Sequence, residues 1–220
     1  MSFERAMSLA ELARGPRVFK KAPRQVVIFL LDGAVHAVDN RCPHEGYPLA
    51  QGAVDADGVL TCAWHNWKFR LADGACLLGG DDVRRYPVVL RDGAVWIDLA
   101  DPPLAETRER ILAGLRVAFD DRDHGRLCRE IARLDFNGLD PVLALERAVA
   151  WAHDRFEYGT THAFAASADW VALAARHGSD RERRLVCLAE AVDHLAFDAL
   201  RQPSFPYAAP GAAFDADAFV

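Results

Sequence analysis

Two short stretches of the sequence decide how its first part folds: Cys42-Pro43-His44 and Cys62-Ala63-Trp64-His65. Each stretch supplies one thiol and one imidazole, spaced Cys-x-His in the first and Cys-x-x-His in the second. Two thiolates and two neutral imidazoles form the ligand set of a mixed-ligand 2Fe-2S cluster, in which sulfur binds one iron and nitrogen binds the other. The residue types at this spacing therefore predict that Cys42, His44, Cys62 and His65 bind such a cluster.

A single zinc ion is the main alternative occupant, because two cysteines and two histidines also form tetrahedral structural zinc sites. Zinc fingers, however, usually place their two histidines together at the end of a helix, whereas each histidine here is paired with a cysteine. Pro43, Gly46 and Pro48 also disfavour a helix around the first pair. The spacing favours the cluster and leaves zinc as the alternative.

The segments Arg41-Cys42-Pro43-His44-Glu45-Gly46 and Cys62-Ala63-Trp64-His65-Asn66-Trp67-Lys68-Phe69 resemble the Rieske-type ferredoxins and the Rieske domains of ring-hydroxylating oxygenases. The resemblance covers about the first hundred residues. It departs at Ala63, where those proteins usually have proline, and at Asn66, where they usually have glycine. Neither position is a ligand, so the departure concerns the conformation of the second loop and not cluster binding.

The resemblance also places the chain among the low-potential members of the family. High-potential relatives carry a disulfide between the two loops, and this chain has Tyr47 and Trp64 at those places, where we expect them to pack against each other. The serine and tyrosine hydroxyls that donate to the cluster in those relatives are replaced by Trp67 and Phe69. With fewer donors the reduced cluster is stabilised less, which predicts a potential in the lower part of the Rieske range.

The composition excludes several classes of protein. The 220 residues carry a net charge of −6 without a basic patch, which argues against a nucleic-acid partner. The longest strongly apolar run, Val26 to Leu31, is far shorter than the roughly 20 residues of a membrane span. Residues 1–5 lack the apolar region of a signal peptide. Three cysteines outside the loops have no obvious pairing, so a reducing cytoplasm is the expected compartment. The cysteines outside the loops are expected to be inert core residues, namely Cys76, Cys128 and Cys187.

Residues 1–101 are predicted to be all-β, because Asp-Gly pairs recur between β-forming segments at 32–33, 57–58, 73–74 and 92–93. Such pairs favour tight hairpin turns. The predicted pairings are Gln25–Leu31 with Ala34–Val38, Trp67–Leu71 with Ala75–Leu77, and Val88–Leu90 with Val95–Asp98. The hairpin around Asp57-Gly58 should bring Cys62 and His65 to face the first loop.

Asp101-Pro102-Pro103 ends the β pattern, and apolar residues then recur with helical spacing. Leu104 and Ile111 begin one apolar stripe, and Asp140-Pro141 has the form of a helix start. The predicted architecture is therefore an N-terminal all-β Rieske domain at 1–101, an all-α helical bundle at 104–202, and a proline- and aromatic-rich tail at 203–220.

The helical part raises the question of a second metal site. Glu146, His153 and Glu157 share one helical stripe, and His162 lies on the next helix. These residues are candidates for a second iron site, although bundle di-iron sites usually use Glu-x-x-His pairs, which are missing here. The alternatives are surface ion pairs and a surface that docks a partner.

The predicted function is single-electron transfer by the cluster, from a flavin reductase as donor to an oxygenase as acceptor, as the resemblance implies. Two alternatives remain. One is an oxidoreductase with a second iron or di-iron site in the helical domain, fed by the Rieske cluster. The other is a redox-sensing interaction protein whose helical domain binds a partner or forms an oligomer.

Overall fold

The computed structural model describes residues 3–156 and 159–200. The chain divides into two compact units, Met1–Pro102 and Pro103–Val220. Strands dominate the first unit and helices the second, so the expected order of a β domain followed by a helical domain is confirmed. The tail expected at 203–220 lies outside the described residues. No helix in the described part of the chain is both long and apolar enough to cross a membrane.

The first unit consists of antiparallel strands and one short helix. Its described elements are β1 (Phe3–Ser8), α1 (Leu9–Leu12), β2 (Arg17–Lys21), β3 (Arg24–Leu31), β4 (Ala34–Asp39), β5 (Ala53–Val54), β6 (Val59–Thr61), β7 (Lys68–Arg70), β8 (Cys76–Leu78), β9 (Val88–Arg91) and β10 (Ala94–Asp98). They form three sheets with the orders β1-β10-β9, β2-β3-β4 and β5-β6-β7-β8. The third sheet carries the second cysteine–histidine loop between β6 and β7.

The predicted hairpins form at the Asp-Gly pairs. At Asp32-Gly33 and Asp92-Gly93 both residues have positive φ, between 50° and 78°, as a two-residue type I′ turn requires. These turns join β3 to β4 and β9 to β10 in the predicted pairings. At the other two pairs only the glycines, Gly58 and Gly74, have positive φ, and the connections are longer.

Strand β3 is buried on both faces and separates two apolar cores. Successive side chains of a strand point to opposite faces, and Val26 and Ile28 accordingly lie in one core while Val27 and Phe29 lie in the other. The second core lies beneath the cysteine–histidine loops. Its buried members are Val27, Phe29, Val38, Cys42, Leu49, Leu60, Cys62, Phe69, Leu71 and Val83.

The second unit is entirely helical where it is described. Its helices are α2 (Leu104–Asp121), α3 (His124–Phe136), α4 (Val142–Ala152), α5 (His162–Arg176) and α6 (Arg181–Asp198). Side-chain oxygens of Asp123, Thr161 and Asp180 accept hydrogen bonds from the first turns of α3, α5 and α6, which stabilises these helix starts. Asp140 accepts from the backbone of Val142 at 3.0 Å, as its position before α4 predicted.

Helix α6 lies at the centre of the helical unit and packs against α2, α3, α4 and α5. Its buried residues occupy more than one face, as expected for a helix with neighbours on several sides. They are Cys187, Leu188, Ala189, Ala191, Val192, Leu195 and Ala196. The assignment of Leu104 to the apolar stripe was wrong: it is 53% exposed and lies nearly two turns before Ile111, the first buried apolar residue of α2.

Candidate metal centre

The first cysteine–histidine loop follows β4 and is closed by its own backbone. The backbone N–H of Cys42 donates to the carbonyl of Tyr47 at 2.9 Å, and that of Gly46 donates to the carbonyl of Cys42 at 2.8 Å. Buried Asn40 fixes the end of the loop, because its side-chain oxygen accepts from the N–H of Ala50 at 2.9 Å. These hydrogen bonds close the loop around Cys42, whose side chain is buried.

The second loop repeats this arrangement between β6 and β7. The N–H of Cys62 donates to the carbonyl of Trp67 at 2.8 Å, and that of Asn66 donates to the carbonyl of Cys62 at 3.1 Å. Asn66 has a φ of +59°, and Gly46 at the matching place of the first loop has +76°. Asparagine tolerates this left-handed conformation better than most residues. The second loop therefore keeps the conformation that glycine would favour, despite the departure noted in the sequence.

The four predicted ligands meet in like pairs. Nδ1 of His44 lies 3.0 Å from Nδ1 of His65. Two nitrogens bound to one metal at about 2.1 Å each are about 3.0–3.4 Å apart, so this spacing suits a shared ion. Cys42 and Cys62 form the other pair, with thiols near enough for Cys62 to raise the pKa of Cys42. The cysteines are buried, His44 is half-buried and His65 is exposed.

These four side chains do not converge on one point. Residues 3–156 and 159–200 contain one group of three His, Cys, Asp or Glu residues whose ligand atoms all lie within 4.8 Å of one another: His44, Glu45 and His65. Neither cysteine belongs to this group. A single tetrahedral zinc ion would hold all four donor atoms within about 4 Å of one another. Sulfur and nitrogen pairs that stand apart instead suit two metal ions side by side.

The electrostatics of the thiol pair also favour a bound cation. Burial, with a smaller contribution from Cys62, raises the pKa of the Cys42 thiol to about 11. The backbone N–H groups of His44 and Glu45 act in the opposite direction. Metal ions bind cysteine as the thiolate. The positive charge of iron would stabilise the buried negative thiolates, and the thiol protons would be released on binding.

Two tryptophans cover the imidazoles. Trp67 stacks on His44 with ring centroids 4.7 Å apart and an angle of 13°, and Trp64 stacks on His65 at 4.6 Å and 24°. Tyr47 packs against Trp64 at 5.4 Å, which confirms the contact expected at the place of the disulfide. Trp67 also packs against the apolar core beneath the loops, and its stacking on His44 fixes the plane of that ring.

Sequence reasoning missed two residues near the centre. A Cβ on Gly79, which has a φ of +138°, would lie 2.4 Å from the Trp67 ring, so the glycine makes room for the tryptophan. The Gly79-Gly80 pair was the available signal for a close approach. The Glu45 carboxylate lies 3.9 Å from Nε2 of His44, and one of its oxygens is within 4.8 Å of a ring nitrogen of His65. No sequence signal distinguished it from an ordinary surface acid.

We expect Gly52→Ala to lower both stability and cluster content. A Cβ at Gly52 would lie 2.4 Å from the carbonyl oxygen of Thr61, the residue before Cys62, although φ at Gly52 is ordinary. Relief of the clash requires the second loop to move, at a cost of about 1–3 kcal/mol. Urea unfolding and iron content measure the two effects. Gly125→Ala, at a roomier helical position in α3, is the control and should leave both unchanged or slightly improved.

The candidates for a second metal site do not assemble in the described part of the helical unit. Glu146, His153 and His162 are all exposed, and Glu157 lies outside the described residues. The ring of His153 hydrogen-bonds the carbonyl of Ala150 at 2.9 Å through Nδ1. Within 103–156 and 159–200, no three His, Cys, Asp or Glu ligand atoms lie within 4.8 Å of one another. The described candidates therefore agree with the alternative of polar side chains exposed at the surface.

Comparison with known proteins gives the first unit a family. Residues 3–87 match the Rieske [2Fe-2S] domain. The chain is 32% identical over 89 residues to the 3-phenylpropionate/cinnamic acid dioxygenase ferredoxin subunit of Photorhabdus laumondii, which covers 40% of this chain and 84% of that protein. It is 37% identical over 81 residues to the ferredoxin component of the alkene monooxygenase system of Xanthobacter autotrophicus, which covers 36% of this chain and 66% of that protein.

A larger relative matches through a smaller share of its length. The 4beta-methylsterol monooxygenase of Methylococcus capsulatus is 39% identical over 85 residues, which cover 34% of this chain and 23% of that protein. The chain thus spans most of a ferredoxin subunit but about a quarter of this monooxygenase. Two of the relatives that match this chain are thus ferredoxin components of oxygenase systems.

Proposed function

The chain belongs to the Rieske [2Fe-2S] domain family through residues 3–87, and from this premise we propose that it is a single-electron carrier of an oxygenase system. The family's cofactor is a Rieske-type 2Fe-2S cluster. Cys42 and Cys62 are proposed to hold one iron, and His44 and His65 the other.

The observation that carries this proposal is the separation of the ligands into a sulfur pair and a nitrogen pair. The Nδ1 atoms of the histidines are 3.0 Å apart and the two cysteine thiols are close enough to influence each other's ionisation, yet the four groups do not share one point. A structural zinc site requires a common centre for all four. The donor set therefore fits the cluster and fits zinc poorly.

When bound, the cluster supplies reversible one-electron chemistry. The exposure of the chain's own residues determines from which side a redox partner can reach the cluster. The cysteines are buried beneath the loops, while His65 is exposed and the side chain of His44 is 29% exposed. The histidine edge is thus the side from which a partner can approach. Stacking by Trp64 and Trp67 holds both rings in place, and closed backbone loops limit movement of the ligands.

We further propose a flavin reductase as donor and an oxygenase as acceptor. Two relatives are ferredoxin components of oxygenase systems, and the chain spans 84% of one of them. We also propose a cytoplasmic location, which suits three cysteines outside the loops that form no disulfide, because disulfides are rare in reducing compartments; they are Cys76, Cys128 and Cys187. The experiment mixes the reduced full chain with oxidised oxygenase component and follows reoxidation by stopped flow. Rapid reoxidation supports the proposal, and no transfer to any member of a panel of such oxygenases contradicts it.

Iron and acid-labile sulfide per chain separate this proposal from an enzyme with a second iron site. The carrier requires two of each, and the anaerobically purified full chain should contain no further iron. A reproducible excess of iron over sulfide would instead support a second site in the helical unit.

The reduction potential should lie in the lower part of the Rieske range, which extends from about −150 to +300 mV. Trp67 and Phe69 supply no hydroxyl donors at the two places where high-potential relatives have them. The donors to Cys42 in this structure are backbone N–H groups. Protein-film voltammetry measures the potential, and a value above roughly +150 mV would contradict the prediction.

A further inference from the structure

A cysteine, a histidine and an aspartate meet on the surface of the helical unit, away from the metal ligands in sequence. Sγ of Cys128 lies 3.5 Å from Nε2 of His124, one turn earlier in α3. Nδ1 of the same imidazole lies 3.3 Å from Oδ2 of Asp193 in α6. The imidazole therefore stands between a thiol and a carboxylate and uses one nitrogen for each.

The packing of α3 on α6 produces this arrangement. His124 at the start of α3 pairs with Asp193 near the end of α6, and Asp135 near the end of α3 pairs with Arg181 at the start of α6. The two helices are therefore antiparallel. Cys128, one turn into α3, lies on the side of α6 that carries Glu190, whose charge also acts on the thiol.

The two contacts suit one tautomer of the imidazole. With the proton on Nδ1, which faces the Asp193 carboxylate, the lone pair of Nε2 faces the S–H of Cys128 and can accept its proton. A nucleophile whose base is oriented by a third group is the arrangement that activates thiols and hydroxyls in proteins. His124 has half of its side chain exposed to solvent and Cys128 is half-buried, so a small molecule can reach the sulfur.

We propose that Cys128 is a nucleophilic thiol, with His124 as its base and Asp193 as a positioning residue, and that it forms mixed disulfides with small cationic disulfides. The Cys128 proton moves to Nε2 of His124 while the sulfur attacks one sulfur of the small disulfide. The new S–S bond forms as the old one breaks, and the leaving thiolate takes the proton from His124. Cys128 is oxidised to the mixed disulfide, and half of the small molecule is reduced to a free thiol.

The charges around the sulfur determine which disulfide it prefers. Burial raises the pKa of Cys128, and the carboxylates of Asp193 and Glu190 raise it further against the opposite effect of Arg129. The thiol is therefore protonated at rest, which is why the step needs a base. The two carboxylates attract a cationic reagent and repel an anionic one.

The test treats the full chain, with its cluster in place, with cystamine at pH 7 and locates the adduct by peptide mass spectrometry. We expect modification at Cys128 and none in Cys128→Ser. His124→Gln should react about 100-fold more slowly at pH 7, the usual contribution of a general base. Its rate should then rise about tenfold per pH unit and converge on the wild-type rate in the alkaline range, because the thiolate forms there without a base. Loss of access would lower the rate at every pH.

Two further variants keep the test independent of folding defects. Asp193→Asn leaves the imidazole in place and should lower the rate several-fold. Glu190→Gln should keep or slightly raise the rate with uncharged hydroxyethyl disulfide, because a carboxylate that raises the pKa of the thiol is removed. It should reduce the preference for cystamine over oxidised glutathione, which we expect to be about tenfold in the wild type. Equal rates of His124→Gln and wild type at pH 7, or modification at Cys76 instead of Cys128, would overturn the proposal. A preference for oxidised glutathione would overturn the assignment of the reagent's charge.

Discussion

Cys62→Ser should be purified without a cluster. Cys62 is 1% exposed, lies in contact with the Cys42 thiol, and belongs to the apolar core beneath the loops. Serine does not supply the thiolate that iron requires, so iron and sulfide should both fall to below about a tenth of the wild-type content. Even the loss of a residue that only hydrogen-bonds a metal ligand lowers metal affinity about 10–100-fold. Iron and acid-labile sulfide per chain measure the result.

Cys187→Ser is the matched control for this variant. Cys187 is also buried, at 4% exposure, but lies in the helical core among apolar residues. It should lose some stability and keep the full cluster. If both variants were equally depleted, the loss would come from weakened packing and not from a missing ligand.

His65→Cys should keep a cluster but change its character. The ligand set would become three thiolates and one imidazole, which adds a negative charge and makes the cluster harder to reduce. Plant-type clusters with four thiolates lie near −400 mV, whereas Rieske clusters lie above about −150 mV, so the potential should fall by at least about 100 mV. Electron paramagnetic resonance of the reduced protein and film voltammetry measure the change.

The control for His65→Cys introduces the same residue elsewhere. His153 is exposed in the helical unit and its ring hydrogen-bonds the carbonyl of Ala150. His153→Cys should leave both the spectrum and the potential unchanged. An unchanged spectrum in His65→Cys would show that His65 is not a ligand.

Much of the β unit could be predicted because its turns are coded locally. Asp32-Gly33 and Asp92-Gly93 adopt positive φ at both residues, so the dipeptide alone fixed the hairpins β3–β4 and β9–β10. The pairing of β1 with β10 was not predicted, because strands at opposite ends of the unit carry no local signal for each other. The division into three sheets depends on such long-range pairings in the same way.

The candidate site was predictable for its ligands but not for its surroundings. Residue types and spacing identified the four ligand candidates, and the contact of Tyr47 with Trp64 followed from the family's disulfide position. The stacking of Trp67 on His44 and the space provided by Gly79 depend on side-chain packing, which sequence does not give. The group around Cys128 was missed for a related reason: Asp193 is distant in sequence and meets His124 only when α3 packs on α6.

The most direct test of the central claim is pulsed electron paramagnetic resonance on the reduced full chain. The proposed ligation requires magnetic coupling to two imidazole nitrogens, one from His44 and one from His65, whose Nδ1 atoms lie 3.0 Å apart. We expect two such couplings in the wild type and one in each single histidine variant. A spectrum without nitrogen coupling, or a colourless protein that holds only zinc at these side chains, would contradict the account.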